Sequence, residues 1–377
     1  MKRNNLIFLV IPLLLLVVAA CGNDDGVSET SGSEGGTESE SGTYEEVDSI
    51  VVEGEIAGGH LYLSKDGEVL NWGEKDGGIG DAERMMTWTN GEVEEMDNEK
   101  FDTFAYLHPE GKMFATTQKL GEEGSPATIH MYDPRTGEAV DYDRSEELED
   151  RMHSGLGFMT DEAGMIVTQT MYTDGGVIIN LWDYKNDEVE TFDITEEIYD
   201  ILNEIDRPQE TGRTITRDGK SVYVGVSEGI VHLDTETGEV NEVSAGEGME
   251  RTTTLTPDDE YLIMSQYNEE DDGDTSIFYA AEGDSFEQTE IGAGEEAFPL
   301  ADGQIVIRNE KELSLHDIES GETEPFYSVE LNEEQDFKHI VVSGDGNTIA
   351  YAYEEEIEVP EEEDKTEDQT TIQIIRR

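Results

Sequence analysis

Nine side chains share one position in a repeating pattern. His60, Lys100, Arg151, His153, Arg207, Arg213, Arg251, Lys338 and His339 each stand thirteen to six residues ahead of a recurrent turn. Those windows hold 56 residues, yet nine of the 28 Lys, Arg and His residues beyond position 20 fall in them, about twice an even spread. Guanidinium, ammonium and imidazole groups gathered at loop ends would accept a carboxylate or another anion. His60, Lys100, Arg151, His153, Arg213, Arg251, Lys338 and His339 are therefore the candidate ligand-binding residues. The chain has no His-Glu-x-x-His and no phosphate loop, and no catalytic residue, metal or cofactor is assigned.

Cys21 offers a second kind of chemistry. It is the only cysteine, which excludes an intramolecular disulfide. Lys2 and Arg3 precede an apolar run from Leu6 to Ala20 that only Pro12 interrupts. That run is shorter than the roughly 20 residues of a spanning helix and fits the apolar core of a signal peptide. No twin-arginine pair is present, which points to Sec export. Val18-Ala19-Ala20-Cys21 resembles the bacterial lipobox. The resemblance implies cleavage after Ala20, diacylation of the Cys21 thiol, and a lipid-anchored protein on the extracytoplasmic face of a bacterial, Gram-positive cell membrane.

Composition narrows the partners. The chain carries 92 acidic and 23 basic residues, a net charge of −69, and loss of Lys2 and Arg3 with the leader would make it −71. Phosphate neutralisation needs a basic surface, so no nucleic acid is expected. An anionic membrane would repel this protein, leaving the lipid as the attachment. The acidic residues run along the whole chain, the pattern of a solvated surface kept soluble where salt screens it. This suits a monomer from a halophile or alkaliphile.

The elements that must position the nine side chains follow from the repeat. Residues 1–20 read as leader and 21–48 as lipidated cysteine and linker, because Gly22–Glu46 is almost wholly Gly, Ser, Thr, Asp and Glu. From 49 to 377 a hairpin turn recurs seven times: SKDGEVL (64–70), HPEGKMF (108–114), TDEAGMIV (160–167), TRDGKSVY (216–223), TPDDEYLI (256–263), LADGQIVI (300–307) and SGDGNTIAY (343–351). A second turn follows each of the first six, as in YDPRTGEAV (132–140) and LDTETGEVN (233–241). Two hairpins every 40 to 55 residues give four antiparallel strands per unit, the arithmetic of a propeller blade. The expected fold is all-β, a seven-bladed β-propeller, with six or eight blades as alternatives. An orphan β-rich stretch, Ser49–Glu53, is expected to complete the last blade and shut the ring. Ile198, Ile201, Leu202 and Ile205 predict a short helix within 193–206, and Ser145–Arg151 another helical turn.

The first turns resemble the WD-like repeats of TolB-type propellers, with TPDDEYLI and TRDGKSVY nearest. LDTETGEV resembles the YVTN-type repeat. The resemblance covers roughly residues 50–377 and implies architecture, since such folds host enzymes, scaffolds and receptors alike. Quinoprotein and sialidase repeats do not fit: no tryptophan follows the glycine of YDPRTGEAV, and SKDGEVLNW places Asp66 and Gly67 side by side. His130, His232 and His316 sit on equivalent strands but at different phases, so they are read as separate strand residues and not as a metal ring. Asp271, Asp272 and Asp274, and the run Glu354–Asp368, read as solvated acidic loops. The leading expectation is a binding or scaffold module for an envelope protein, a glycan, a peptide or an anionic ligand. A channel-mouth enzyme, such as a lactonase or glycan-active hydrolase, and an envelope assembly or sensing factor stay open.

Overall fold

Alternating apolar runs broken by Asp-Gly turns fold into one hairpin after another. The computed structural model describes residues 44–52, 54–75, 84–96, 106–107, 111–117, 128–143, 156–159, 165–171, 177–183, 185–186, 188–201, 210–226, 229–245, 253–267, 275–282, 286–358 and 366–377. The leader, Cys21, most of the linker, the Ser145–Arg151 turn and the Asp271–Asp274 loop lie outside these residues. Those described belong to one unit, Thr43–Arg377, and form seven four-stranded antiparallel sheets.

Strand β1 (Glu45–Val51) comes first in the chain. Sheet one then holds β2 (Glu55–Leu63), β3 (Val69–Lys75), β4 (Arg84–Thr89) and β5 (Glu92–Glu95). Sheet two holds β6 (Tyr106–Leu107), β7 (Met113–Thr117), β8 (Thr128–Asp133) and β9 (Glu138–Asp143). Sheet three holds β10 (Leu156–Met159), β11 (Met165–Met171), β12 (Val177–Asp183) and β13 (Glu188–Asp193), followed by helix α1 (Thr195–Ile201). Sheet four holds β14 (Glu210–Ile215), β15 (Ser221–Val226), β16 (Gly229–Asp234) and β17 (Val240–Ala245). Sheet five holds β18 (Thr253–Leu255), β19 (Tyr261–Tyr267), β20 (Ser276–Glu282) and β21 (Gln288–Gly294). Sheet six holds β22 (Glu296–Pro299), β23 (Gln304–Asn309), β24 (Glu312–Asp317) and β25 (Thr323–Ser328). In sheet seven, β26 (Gln335–Val342), β27 (Thr348–Glu358) and β28 (Thr366–Arg376) are joined by β1, which pairs with β28 from Glu45↔Arg376 to Val51↔Thr371.

The first turn of each unit is stabilised by its own side chains. Ser64 Oγ donates to Asp66 Oδ1 at 2.7 Å and accepts from the Val69 N–H at 2.9 Å, while Asp66 accepts from the Glu68 N–H. The same three bonds recur in the copies beginning at Thr216, Thr256 and Ser343. Here the hydroxyl and carboxylate take over N–H groups that a tight turn leaves without strand partners. Burial pushes the Asp345 carboxyl up, but bonds from Ser343 and Asn347 outweigh it and hold the group below the usual range. Sheet six has Leu300 in place of the hydroxyl, and its turn closes one residue sooner, Leu300 N–H to Gln304 O at 2.8 Å.

These inner turns also hold one another. Lys65 Nζ donates to Pro257 O at 2.6 Å, linking sheets one and five, and the Asp345 N–H donates to Lys65 O. Ala301 N–H bonds Gly344 O, Asp302 N–H bonds Asp258, and Arg217 N–H bonds Asp259. Contact between turns of non-neighbouring sheets means that these turns converge at this end.

Apolar seams run between consecutive sheets from the third to the seventh and from the seventh to the first. Sheet faces covered on both sides explain why β3 is buried at six successive positions, Val69 to Glu74. Outer strand β5 is exposed throughout. Ile198 of α1 is fully buried in the seam of sheets three and four. This is an all-β propeller.

Two expectations need correction. The first strand opens at Glu45, inside the expected linker and four residues before Ser49, because Tyr44 is already held: its hydroxyl donates to Gly346 O at 2.5 Å. The acidic run after Tyr353 is also not a loop at its ends. Glu354, Glu355 and Glu358 pair in the ladder with Thr370, Gln369 and Thr366. Glu354 and Glu355 face uncharged Thr370 and Gln369, whereas Glu356 stands opposite Asp368 and the ladder still continues. Residues 359–365 lie outside the described ones.

The turns make a sharp comparison possible. Gly67 has φ +68°, and a Cβ there would overlap the Thr348 hydroxyl and lie 2.5 Å from Thr348 Cβ, a residue of sheet seven that is fully buried. Gly137 has φ +71° and nothing within 4 Å. Gly137→Ala should cost only the left-handed strain, about 1 kcal/mol. Gly67→Ala should lower the melting temperature by at least twice as much. Equal losses in thermal unfolding would show that the inner turns do not press on their neighbours.

Candidate functional site

The described candidate cations lie along the innermost strands, three to five residues before the Ser/Thr–Asp turns. His60 lies on β2, Arg213 on β14, and Lys338 and His339 on β26. Lys100, Arg151, His153, Arg207 and Arg251 lie outside the described residues, as does the His60 side chain. The structure brings Lys338 and His339 together and leaves Arg213 on another sheet, where it is 9% exposed.

Lys338 sits at a register shift in β26, between Phe337 and His339. Its ammonium meets Asp336 at 2.9 Å and Glu354 at 2.6 Å. Hydrogen bonds to those two carboxylates push its pKa up to about 12. Arg308 on β23 completes the group. It bridges Glu295 and Glu296, the latter at 2.9 Å, and its guanidinium carbon lies 5.6 Å from the centre of the Phe337 ring. Arg308 is absent from the sequence-derived set because it follows its turn instead of preceding it. Its signal was the hairpin register, which sets Arg308 opposite Glu296.

His339 is held below the ordinary imidazole value, by burial first and then by repulsion from Arg308 and Lys338. Each cation here already has two carboxylates, so the cluster is an ion-pair lattice with a neutral imidazole inside it. A ligand carboxylate would have to displace Glu354, Asp336, Glu295 or Glu296 to reach a positive charge.

The three strand histidines are separately satisfied. His130 Nδ1 meets Asp141 at 2.7 Å, His232 Nε2 meets Ser221 at 2.9 Å, and His316 Nδ1 meets Thr323 at 2.9 Å. Among the described residues no three His, Cys, Asp or Glu side chains group as metal ligands.

No protein-family model matches the sequence, and no curated protein matches it. Solved structures do. A chain of the mitotic checkpoint complex matches with TM-score 0.51 at 10% identity, over 94% of this chain and 99% of that one. An oligogalacturonate lyase in complex with manganese matches with TM-score 0.52 at 11% identity, over 88% and 96%. The β-propeller domain of Myceliophteria thermophila Cps50 (Swd1) matches with TM-score 0.50 at 11% identity, over 81% and 95%. At such identities the likeness shows the fold alone.

The His339 environment gives a pH test. A depressed folded-state pKa means that the unfolded chain takes up a proton first, near pH 6.5. The stability of the neutral imidazole is present above that pH and lost as pH falls through the folded value. The melting temperature of wild type should therefore fall relative to His339→Gln between about pH 8 and about pH 5. A constant difference would mean that His339 is not held neutral.

Proposed function

We propose that this chain is a lipid-anchored extracytoplasmic propeller that serves as a binding or scaffold module for an envelope protein, glycan or peptide. Seven blades, with β1 shutting the ring against β28, are part of the same reading. The observation that carries it is the position of Tyr44. This residue leads into the outer strand of sheet seven and bonds Gly346, an inner-turn residue. The described chain therefore begins at the inner-turn end of sheet seven. The opposite end, with the Arg308–Lys338–His339 cluster, is left for partners. The propeller neighbours support a protein-interaction role, and the lipobox supports the anchor.

Two experiments test this reading. In Cys21→Ser no thiol exists to carry a lipid, and the residues after it have no membrane affinity of their own. The variant should move from the membrane to the soluble fraction on cell fractionation. Equal membrane retention would defeat the anchored reading.

Ring closure is tested by two truncations. A chain beginning at Gly54 loses β1 and Val52 after it, and with them Ile50 and Val52 of the seam between sheets seven and one and the Asp48 carboxylate that accepts from Trp88 Nε1 at 2.7 Å. It also bares the edge of β28. It should melt at least about 10 °C below a chain beginning at Thr43. If the two chains melt alike, the ring does not depend on β1.

A further inference from the structure

We infer that the cleft between sheets six and seven is a binding site for a primary ammonium group. The cleft has a volume of about 410 Å³ and is lined by Tyr327, Tyr351, Tyr353, Gln373, Glu46 and Glu330, with Tyr44 at one side. No lysine, arginine or histidine is among its described lining residues.

Gln373 is the first observation. Its side chain is only 8% exposed, yet its amide hydrogen-bonds no other described residue. An amide without a protein partner is completed by water or by a ligand. Here the group borders an open cleft, which a ligand can enter.

The chemistry of the walls chooses the ligand. The Tyr351 and Tyr327 hydroxyls interact with each other within the wall. Burial also raises the pKa of both phenols, which keeps them neutral. The cleft sets the carboxylates of Glu46 and Glu330 beside the phenol groups and the Gln373 amide. An ammonium group is all donor, with three N–H bonds and no acceptor. Aromatic faces favour a cation beside them. The same cluster already accepts one cation of the chain itself: the Arg377 guanidinium carbon lies 5.8 Å from the Tyr44 ring centre and 5.6 Å from that of Phe326. An anion would meet two carboxylates, and a net charge of −69 draws cations toward the surface.

The ammonium can belong to a free amine or to a lysine side chain, and the test separates the two. The full-length protein in nonionic detergent is titrated with n-butylammonium, with Nα-acetyl-lysine amide and with neutral 1-butanol, at about 150 mM salt to suppress diffuse attraction. Both cations should bind saturably, one per chain, and 1-butanol should not. Tighter binding of the lysine amide assigns the site to a protein side chain, and tighter binding of n-butylammonium assigns it to a small amine. Gln373→Leu should weaken binding at least fivefold. Should that variant fail to fold, Glu330→Gln changes an exposed residue and should weaken binding at least twofold. Three outcomes would overturn the site: 1-butanol or a neutral oligosaccharide binding as well as the amine, wild-type affinity in a folded variant, or no saturable binding. The site is independent of the anchor, since Cys21→Ser should bind these amines as wild type does.

Discussion

A hydroxyl, a carboxylate and three backbone N–H groups, closed on themselves within six residues, set the frame for this molecule. The Ser/Thr–x–Asp turn satisfies its own polar groups before it meets anything else. A turn without open hydrogen-bonding demands can be pressed against another turn, and at least five of the seven are: those beginning at Ser64, Thr216, Thr256, Leu300 and Ser343 contact one another through Lys65, Arg217, Pro257, Asp302 and Gly344. With the turns fixed at one end of the innermost strands, each sheet is oriented and the seams between sheets can fill. Asp259 shows how strong the demand is. It adopts φ +63° where the other copies use glycine, and its carboxylate receives the Arg217 N–H at 2.8 Å.

Charge is handled locally. With acids outnumbering bases fourfold, a cation in the fold is seldom without a carboxylate beside it. Arg308 and Lys338 each take two, Arg84 shares Glu74 with the Trp72 N–H, and Arg135 spans from sheet two to Asp66 and Glu68 of sheet one. Cations in such a protein act as ties between acidic elements. This alters what a cluster of basic residues means. In a neutral protein it advertises an anion site, and here the anions are supplied from within. The aromatic cleft between sheets six and seven is the reverse case, with carboxylates and phenols in its described lining and no lysine, arginine or histidine among them.

The sequence reading was strongest where the interaction is local. Asp-Gly turns between alternating runs and Ile198 at helical spacing from Ile201 both rest on contacts within a few residues, and β-hairpins and α1 appear where those patterns stand. The reading was weaker at the edges of elements. Nothing in Glu45 or Glu46 favours a strand; they are in β1 because β28 offers an open edge and Tyr44 is fastened to Gly346. Glu354 and Glu355 lie in β27, with threonine and glutamine across from them.

By itself, then, the chain determined its hairpins, its repeat and its all-β propeller class, since each follows from turn chemistry and strand alternation that act over fewer than ten residues. Only the tertiary structure decided which side chains meet. Arg308 with Phe337, and Tyr327 beside Gln373 in one cleft, are set by how sheet six lies against sheet seven. Register within a hairpin is written in its turn. The facing of two sheets is settled by the packing of whole seams, and no local pattern carries it.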